Sequence, residues 1–154
     1  MAKNIHFNEF ELDYNNGVCQ LNSVQPFKKR LPVYDEESIW KFISIRDLES
    51  KSIMKFVRIF FISDDNKIKG FYETELITFH GSRDILISRI ILMANVQKIV
   101  FVMKHISSTE GVMKFPKTMT DYYQNKLNPF QIEIIDTLVI SNEKFFSLKE
   151  NSLI

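Results

Sequence analysis

The sequence has little of several features that mark particular protein classes. A single cysteine, Cys19, excludes an internal disulfide framework and a cysteine-based zinc knuckle. The formal net charge is only +1, so no overall field would draw the chain onto nucleic acid or an anionic membrane. The longest apolar-rich run, 85–96, contains Arg89 and Asn95 and is too short to span a bilayer. The first residues are polar and do not resemble a signal peptide. We therefore expect a cytoplasmic protein with no membrane partner.

What is present is typical of a folded domain. Apolar residues make up 45% of the 154 residues and charged residues 25%, which excludes a disordered chain. The 14 phenylalanines and 5 tyrosines can fill a core with large rings, and 4 glycines leave little slack for loose loops. A chain of this length fits one core, so we expect a single domain spanning residues 1–154.

The spacing of apolar residues predicts an α/β (α+β) fold, with a mixed central sheet flanked by about three helices. Asp35 is the expected N-cap of the first helix, because Glu36 and Glu37 follow it where the helix dipole favours acidic side chains. Ser82 is the expected cap of the second. The predicted strands are 7–14, 53–63, 67–74, 98–103, 132–140 and 145–148. The predicted helices are 36–47, one that begins after 82, and 118–127, with a long polar loop at 104–116.

Four motifs in the C-terminal half resemble those of one known family. Residues 98–105 read K-I-V-F-V-M-K-H, a strand leading into a histidine. Residues 116–121 read P-K-T-M-T-D, residues 135–140 read I-D-T-L-V-I, and residues 145–154 read F-F-S-L-K-E-N-S-L-I. Their order and spacing over 53–154 are similar to those of the RadC-like JAB (MPN) domain family. Residues 1–50 loosely resemble the strand and capped helix that precede the JAB core in such proteins.

The resemblance implies a metal site whose residues have been replaced. Members of the family bind zinc through two histidines and a later aspartate, and a glutamate on an earlier strand accepts a proton from the zinc-bound water. The matching positions here are Met103, His105 and Asp121, with Met54 or Lys55 at the glutamate. A thioether is a poor zinc ligand, and neither replacement for the glutamate can act as the base. We therefore expect no cofactor and no catalysis. Weak metal binding by His105 and Asp121 stays an alternative to an ordinary loop histidine and an early-helix carboxylate.

The resemblance then implies a catalytically inactive binding module, of the kind that phages and other mobile elements carry. In its most specific form, the expected binding module is an anti-defence, anti-CRISPR-like inhibitor that binds an effector nuclease or its guide RNA. The expected partner is therefore a protein or a ribonucleoprotein. The expected contacts lie in the loop after the 98–103 strand and in a basic segment near the N-terminus. These residues are Lys104, Ser107, Ser108, Thr109, Glu110, Lys28, Lys29 and Arg30.

Two other functions remain open on the sequence. One is a zinc metallohydrolase with a rebuilt site, acting on DNA or on an isopeptide-like bond. The other is a nucleic-acid-binding protein related to DNA repair, which would contact phosphates through 28–30 and through Lys51, Lys55 and Arg58. The sequence does not distinguish a protein partner from RNA, and it carries no signature of an oligomer interface.

Overall fold

The computed structural model describes residues 7–15, 18–24, 31–44, 56–75, 83–104, 114–141 and 144–154. These residues form seven strands and three α-helices, and a short 3-10 helix at Asn128–Phe130 follows the third of them. The strands are β1 (Glu9–Asn15), β2 (Val18–Ser23), β3 (Phe56–Ile62), β4 (Ile68–Glu75), β5 (Lys98–Lys104), β6 (Glu133–Ser141) and β7 (Lys144–Ser147). The helices are α1 (Glu36–Ile43), α2 (Arg83–Met93) and α3 (Lys114–Leu127).

All seven strands belong to one mixed sheet, in the order β2-β1-β4-β3-β5-β6-β7. Neighbouring strands run antiparallel except at two places, β1 with β4 and β5 with β6, which are parallel. The connection from β5 to its parallel neighbour β6 contains α3, as a parallel crossover usually does. The predicted mixed α/β fold with a central sheet and about three helices is confirmed.

Helices cover both faces of the sheet. Successive residues of a strand point to opposite faces, and every residue of β3 is buried, as expected for a strand covered on both sides. Phe60 and Ile62 pack with Ile39 and Phe42 of α1. On the other face, the buried residues of β3 and β5 pack with α2 and α3; this second cluster includes Val57, Ile59, Phe61, Phe101, Met103, Ile90, Met119 and Tyr123.

The helix starts only partly follow the sequence predictions. Asp35 caps α1 as predicted, because its carboxylate accepts a hydrogen bond of 3.1 Å from the Glu37 N–H. Ser82, the predicted cap of α2, lies outside the described residues. The predicted third helix is present and ends at Leu127 as predicted, but its predicted start was wrong, since it begins at Lys114 and not near Thr118. Pro116 was taken as the end of a loop, but the first turn of a helix accepts proline because its N–H groups have no partner within the helix.

Two features of the sheet were not predicted. The sequence reading ended the first strand in a turn and placed no strand after it, whereas β2 pairs with β1 along six residues. The second feature is the close approach of β1 to β4 at Gly70. This glycine has φ +152, and a side chain there would collide with the Asn8 carbonyl oxygen and the Phe10 ring. Gly70 therefore permits the parallel pairing that joins the N-terminal hairpin to the sheet.

Among the described helices, none combines the length and apolar character needed to cross a bilayer.

Candidate functional site

The strand pairing brings together the two strand ends on which the resemblance places its metal chemistry. β3 and β5 run antiparallel with Phe56 opposite Lys104, so the start of β3 lies beside the end of β5. The predicted glutamate position precedes β3 in the chain, and the predicted histidine positions fall at and just after the end of β5. The start of β3 and the end of β5 are therefore adjacent, while the glutamate position and His105 lie outside the described residues.

Met103 occupies the first of these ligand positions and lies entirely within the core. Its exposed fraction is 0%, and it stands opposite Val57 of β3 and Val139 of β6. It belongs to the same buried cluster as Met119 and Tyr123 of α3. A catalytic zinc needs a ligand that faces a position open to water or substrate. The Met103 side chain is instead part of the core on the face of the sheet that α2 and α3 cover.

Asp121, the predicted aspartate ligand, lies elsewhere than expected. Because α3 begins at Lys114, Asp121 is two turns into the helix and not in its first turn. The early-helix interpretation of this carboxylate was therefore wrong. Its side chain is exposed and accepts a hydrogen bond of 2.7 Å from the Lys117 ammonium, an i,i+4 pair. The neighbouring Thr120 is buried and shares a hydrogen bond of 2.7 Å with the Thr137 hydroxyl.

Most of the other predicted site residues cannot be placed. Met54, Lys55, His105, Ser107, Ser108, Thr109, Glu110, Lys28, Lys29 and Arg30 lie outside the described residues. Lys104 is the last residue of β5 and is half-buried, so its assignment to the polar loop was wrong. Pro116, placed at the end of the same loop, is a buried residue of α3.

Arg58, assigned by the nucleic-acid alternative to a basic patch, is buried. Its exposed fraction is 0%, and its guanidinium donates hydrogen bonds of 2.9 and 2.7 Å to the Glu73 carboxylate on β4. The Arg58 Cζ atom also lies 4.5 to 5.3 Å from the ring centroids of Phe42, Phe56 and Phe71. The Glu73 carboxylate and the three aromatic rings offset much of the free-energy cost of removing this cation from water. Arg58 therefore cannot contact phosphates, and its assignment to the patch was wrong.

A buried carboxylate on β6 organises the C-terminal end of the chain. Asp136 is 1% exposed. One of its oxygens accepts hydrogen bonds from the main-chain N–H groups of Thr137 (2.7 Å) and Lys149 (3.0 Å), and the other accepts one of 2.5 Å from the Ser147 hydroxyl. The Ser147 hydroxyl oxygen in turn accepts a bond of 3.0 Å from the Glu150 N–H. We call these residues the Asp136 clasp, because they hold β7 and the turn after it against β6.

An irregularity in β6 turns Asp136 toward α1. Ile99 pairs with Ile134, whereas the next residue, Val100, pairs with Asp136, so β6 has one extra residue at Ile135. A bulge of this kind shifts all following side chains to the opposite face. Asp136 therefore shares the α1 face with Leu138. Sequence reasoning placed Asp136 in a family motif without a role, although a lone acidic residue in an apolar strand is a signal for a buried hydrogen-bonded group.

The Asp136 charge contributes to the electrostatics of the segment that leads into α1. Burial raises the pKa of Tyr34 to about 12, and the negative charges of Asp136, Glu36 and Asp35 act in the same direction. Burial also raises the pKa of Glu36, although the hydrogen bond that Glu36 accepts from the Trp40 indole, at 3.2 Å, opposes this shift. Trp40 also packs on Phe145 of β7, with ring centroids 4.8 Å apart. The start of α1 and the C-terminal hairpin therefore form one connected region.

Within the described part of the chain, no three histidine, cysteine, aspartate or glutamate side chains are grouped so that they could hold a metal ion. Comparison with protein-family models finds no match for this chain, and comparison with curated proteins finds no similar sequence.

Proposed function

We propose that this chain is a non-catalytic binding module built on the strand and helix order of a RadC-like JAB domain. The observation that carries the proposal is the burial of Met103. At the position that the resemblance assigns to the first zinc-binding histidine, a thioether is fully buried on a strand between β3 and β6, in the cluster that also includes residues of α2 and α3. A hydrolase needs an ion and its bound water at that point, where this chain has core packing.

The layout of the sheet supports the family part of the proposal. The start of β3 and the end of β5 lie side by side, and α3 follows β5 and packs on the same face as Met103. A divergent family member would keep this arrangement for stability after its ligands were lost. Asp121 lies two turns into α3 and forms an exposed ion pair with Lys117, which supports the loss of a second ligand.

The partner that we propose is a protein or ribonucleoprotein, in the form of an effector nuclease that the module inhibits by binding it or its guide RNA. The contact region is Lys104, the last residue of β5, together with the segment that follows it as far as Glu110. This segment follows directly on the strand end where a JAB enzyme admits its substrate, and segments between regular elements commonly carry recognition. The family resemblance, and no single residue, suggests the nuclease.

The test is a pull-down with three tagged proteins under identical conditions. They are the unaltered chain, a chain in which 107–111 is replaced by a short Gly-Ser bridge, and the variant Asp121→Ala. The last removes an exposed charge from α3 and serves as a matched surface control. We expect a nuclease or its RNA to copurify with the unaltered chain and with Asp121→Ala, and to be lost from the bridged chain. Equal recovery from all three would contradict the contact region, and recovery of no nuclease or RNA would contradict the function.

A further inference from the structure

A cavity of about 240 Å³ lies on the α2 side of the sheet, at the C-terminal end of α2. The side chains around it come from β1, β2, the end of β3, β4 and the end of α2; they are Phe10, Leu21, Phe61, Lys69, Met93 and Ala94. Phe61 and Phe56 lie near opposite ends of β3, and five residues of strand span about 17 Å. The cavity is therefore separate from the end of the sheet where Met103 is buried.

The side chains that line this cavity are apolar apart from that of Lys69. Phe10 and Phe61 meet edge to face with ring centroids 5.8 Å apart, and Leu21, Met93 and Ala94 add aliphatic surface. The exception is Lys69, whose ammonium donates a hydrogen bond of 3.0 Å to the Ala94 carbonyl oxygen. A cation is favourable near the carbonyl end of a helix, so this contact fixes the ammonium at the end of α2. The lysine stem adds further apolar surface to the wall.

We propose that the cavity binds a compact carboxylate with an apolar body, and that Lys69 receives the carboxylate. An ammonium has three N–H donors, and the Ala94 carbonyl accepts one of them. An ionised carboxylate is the acceptor that forms the strongest hydrogen bond with a cation. An apolar body matches the remaining wall, because it removes aromatic and aliphatic surface from water.

The volume sets the size of the ligand. In another protein, an apolar cavity of roughly 150 Å³ holds benzene, which has about six non-hydrogen atoms. In proportion, 240 Å³ holds a molecule of about ten such atoms. Phenylpropionate has this size and carries the required carboxylate. Phenylpropanol has nearly the same shape without the charge, so the pair separates the contribution of Lys69 from that of the apolar wall.

The experiment titrates the intact chain with each compound and follows the main-chain amide signals by two-dimensional NMR. We expect phenylpropionate to shift the signals of cavity residues, with a dissociation constant of about 1 mM or lower for a ligand of this size. Lys69→Met should weaken phenylpropionate binding about tenfold, because it removes one charge-assisted hydrogen bond. The same variant should leave phenylpropanol binding within about twofold. Lys67→Met is the matched control, since Lys67 forms a surface ion pair with Asp65.

Two further variants test the location. Leu21→Trp, from the β2 side, and Met93→Phe, from the α2 side, each fill the cavity and should abolish binding of both compounds. The second keeps the test decisive if the first does not fold. The proposal is overturned if no cavity signal shifts at about 10 mM phenylpropionate. It is also overturned if Lys69→Met and Lys67→Met bind phenylpropionate equally well, or if both filling variants still bind it. Because the cavity is separate from the end of the sheet where Met103 is buried, none of these results supports or contradicts the proposed binding of an effector nuclease.

Discussion

Removing the carboxylate of the Asp136 clasp should destabilise the fold far more than removing a surface carboxylate. In Asp136→Ala, the Ser147 hydroxyl and the N–H groups of Thr137 and Lys149 lose the oxygen that accepts their hydrogen bonds. Lys149 is exposed, so water can replace its partner. Thr137 and Ser147 are buried, and water cannot reach them in the same way.

These contacts allow the loss of stability to be estimated. Leaving a buried donor without an acceptor costs about 1–3 kcal/mol, so two such donors give a loss of about 2–6 kcal/mol for Asp136→Ala. Asp136→Asn keeps an acceptor oxygen and the shape of the side chain, and should lose about 1–2 kcal/mol. Ser147→Ala removes one hydroxyl and should lose a similar amount. Asp121→Ala breaks an exposed i,i+4 pair and should lose less than about 0.5 kcal/mol.

The measurement is urea-induced unfolding of the four variants and the unaltered chain, followed by circular dichroism and by the fluorescence of Trp40, the single tryptophan. Trp40 packs on Phe145 of β7, so its emission reports on the region that the clasp holds. Agreement of the two probes would show that the variants unfold in one step. A loss below about 1 kcal/mol for Asp136→Ala, or a loss equal to that of Asp121→Ala, would refute this interpretation of the clasp.

Three other predictions concern the core, the sheet and the pH dependence. Met103→Ala should lower the free energy of unfolding by about 3 kcal/mol in urea unfolding, because it leaves a void between the sheet and α3; a loss below about 1 kcal/mol would contradict the burial of Met103. Gly70→Ala should lower the free energy of unfolding by at least about 2 kcal/mol in the same assay, because the backbone conformation of Gly70 and the nearby Asn8 carbonyl both exclude a Cβ. An unchanged urea midpoint would contradict this prediction. The pKa of Tyr34 is higher in the folded state than in the unfolded chain, so the folded state binds the phenol proton more tightly. The stability that the protonated Tyr34 contributes is therefore complete below a pH of about 10 and is lost as the pH rises toward 12. Tyr34→Phe should therefore lose less stability than the unaltered chain over that interval, and equal losses would count against the raised pKa.

The sequence was sufficient to predict the elements with strong apolar patterns. β3 and β5 are mostly apolar because both faces of the sheet are covered; the exceptions are Arg58 in β3 and the lysines at the two ends of β5. The cap at Asp35 depends only on neighbouring residues. Gln20 and Asn22 alternate with Leu21 in the period-2 pattern of a half-buried strand, but β2 was missed because so short an edge strand contains few apolar residues. The start of α3 was missed because Pro116 signals a loop in most contexts.

The sequence predicted the environment and the roles of the candidate functional residues less well. Tertiary contacts decide whether a charged residue is exposed. Arg58 is buried because Glu73 and three aromatic rings surround its guanidinium, and none of these partners is adjacent to it in the sequence. The role of Asp136 could not be predicted either, because the extra residue at Ile135 decides which face of the sheet the Asp136 side chain lies on. The cavity beside Lys69 combines residues of β1, β2, β3, β4 and α2, and no spacing in the sequence brings them together.

We propose that core packing has replaced a water-activating ion at the end of β5. Native mass spectrometry of the chain, purified from a zinc-supplemented culture and then exchanged into metal-free buffer, tests it most directly. We predict the mass of the polypeptide alone, and an identical result for His105→Ala. One zinc ion retained per chain, and lost from His105→Ala, would contradict the claim.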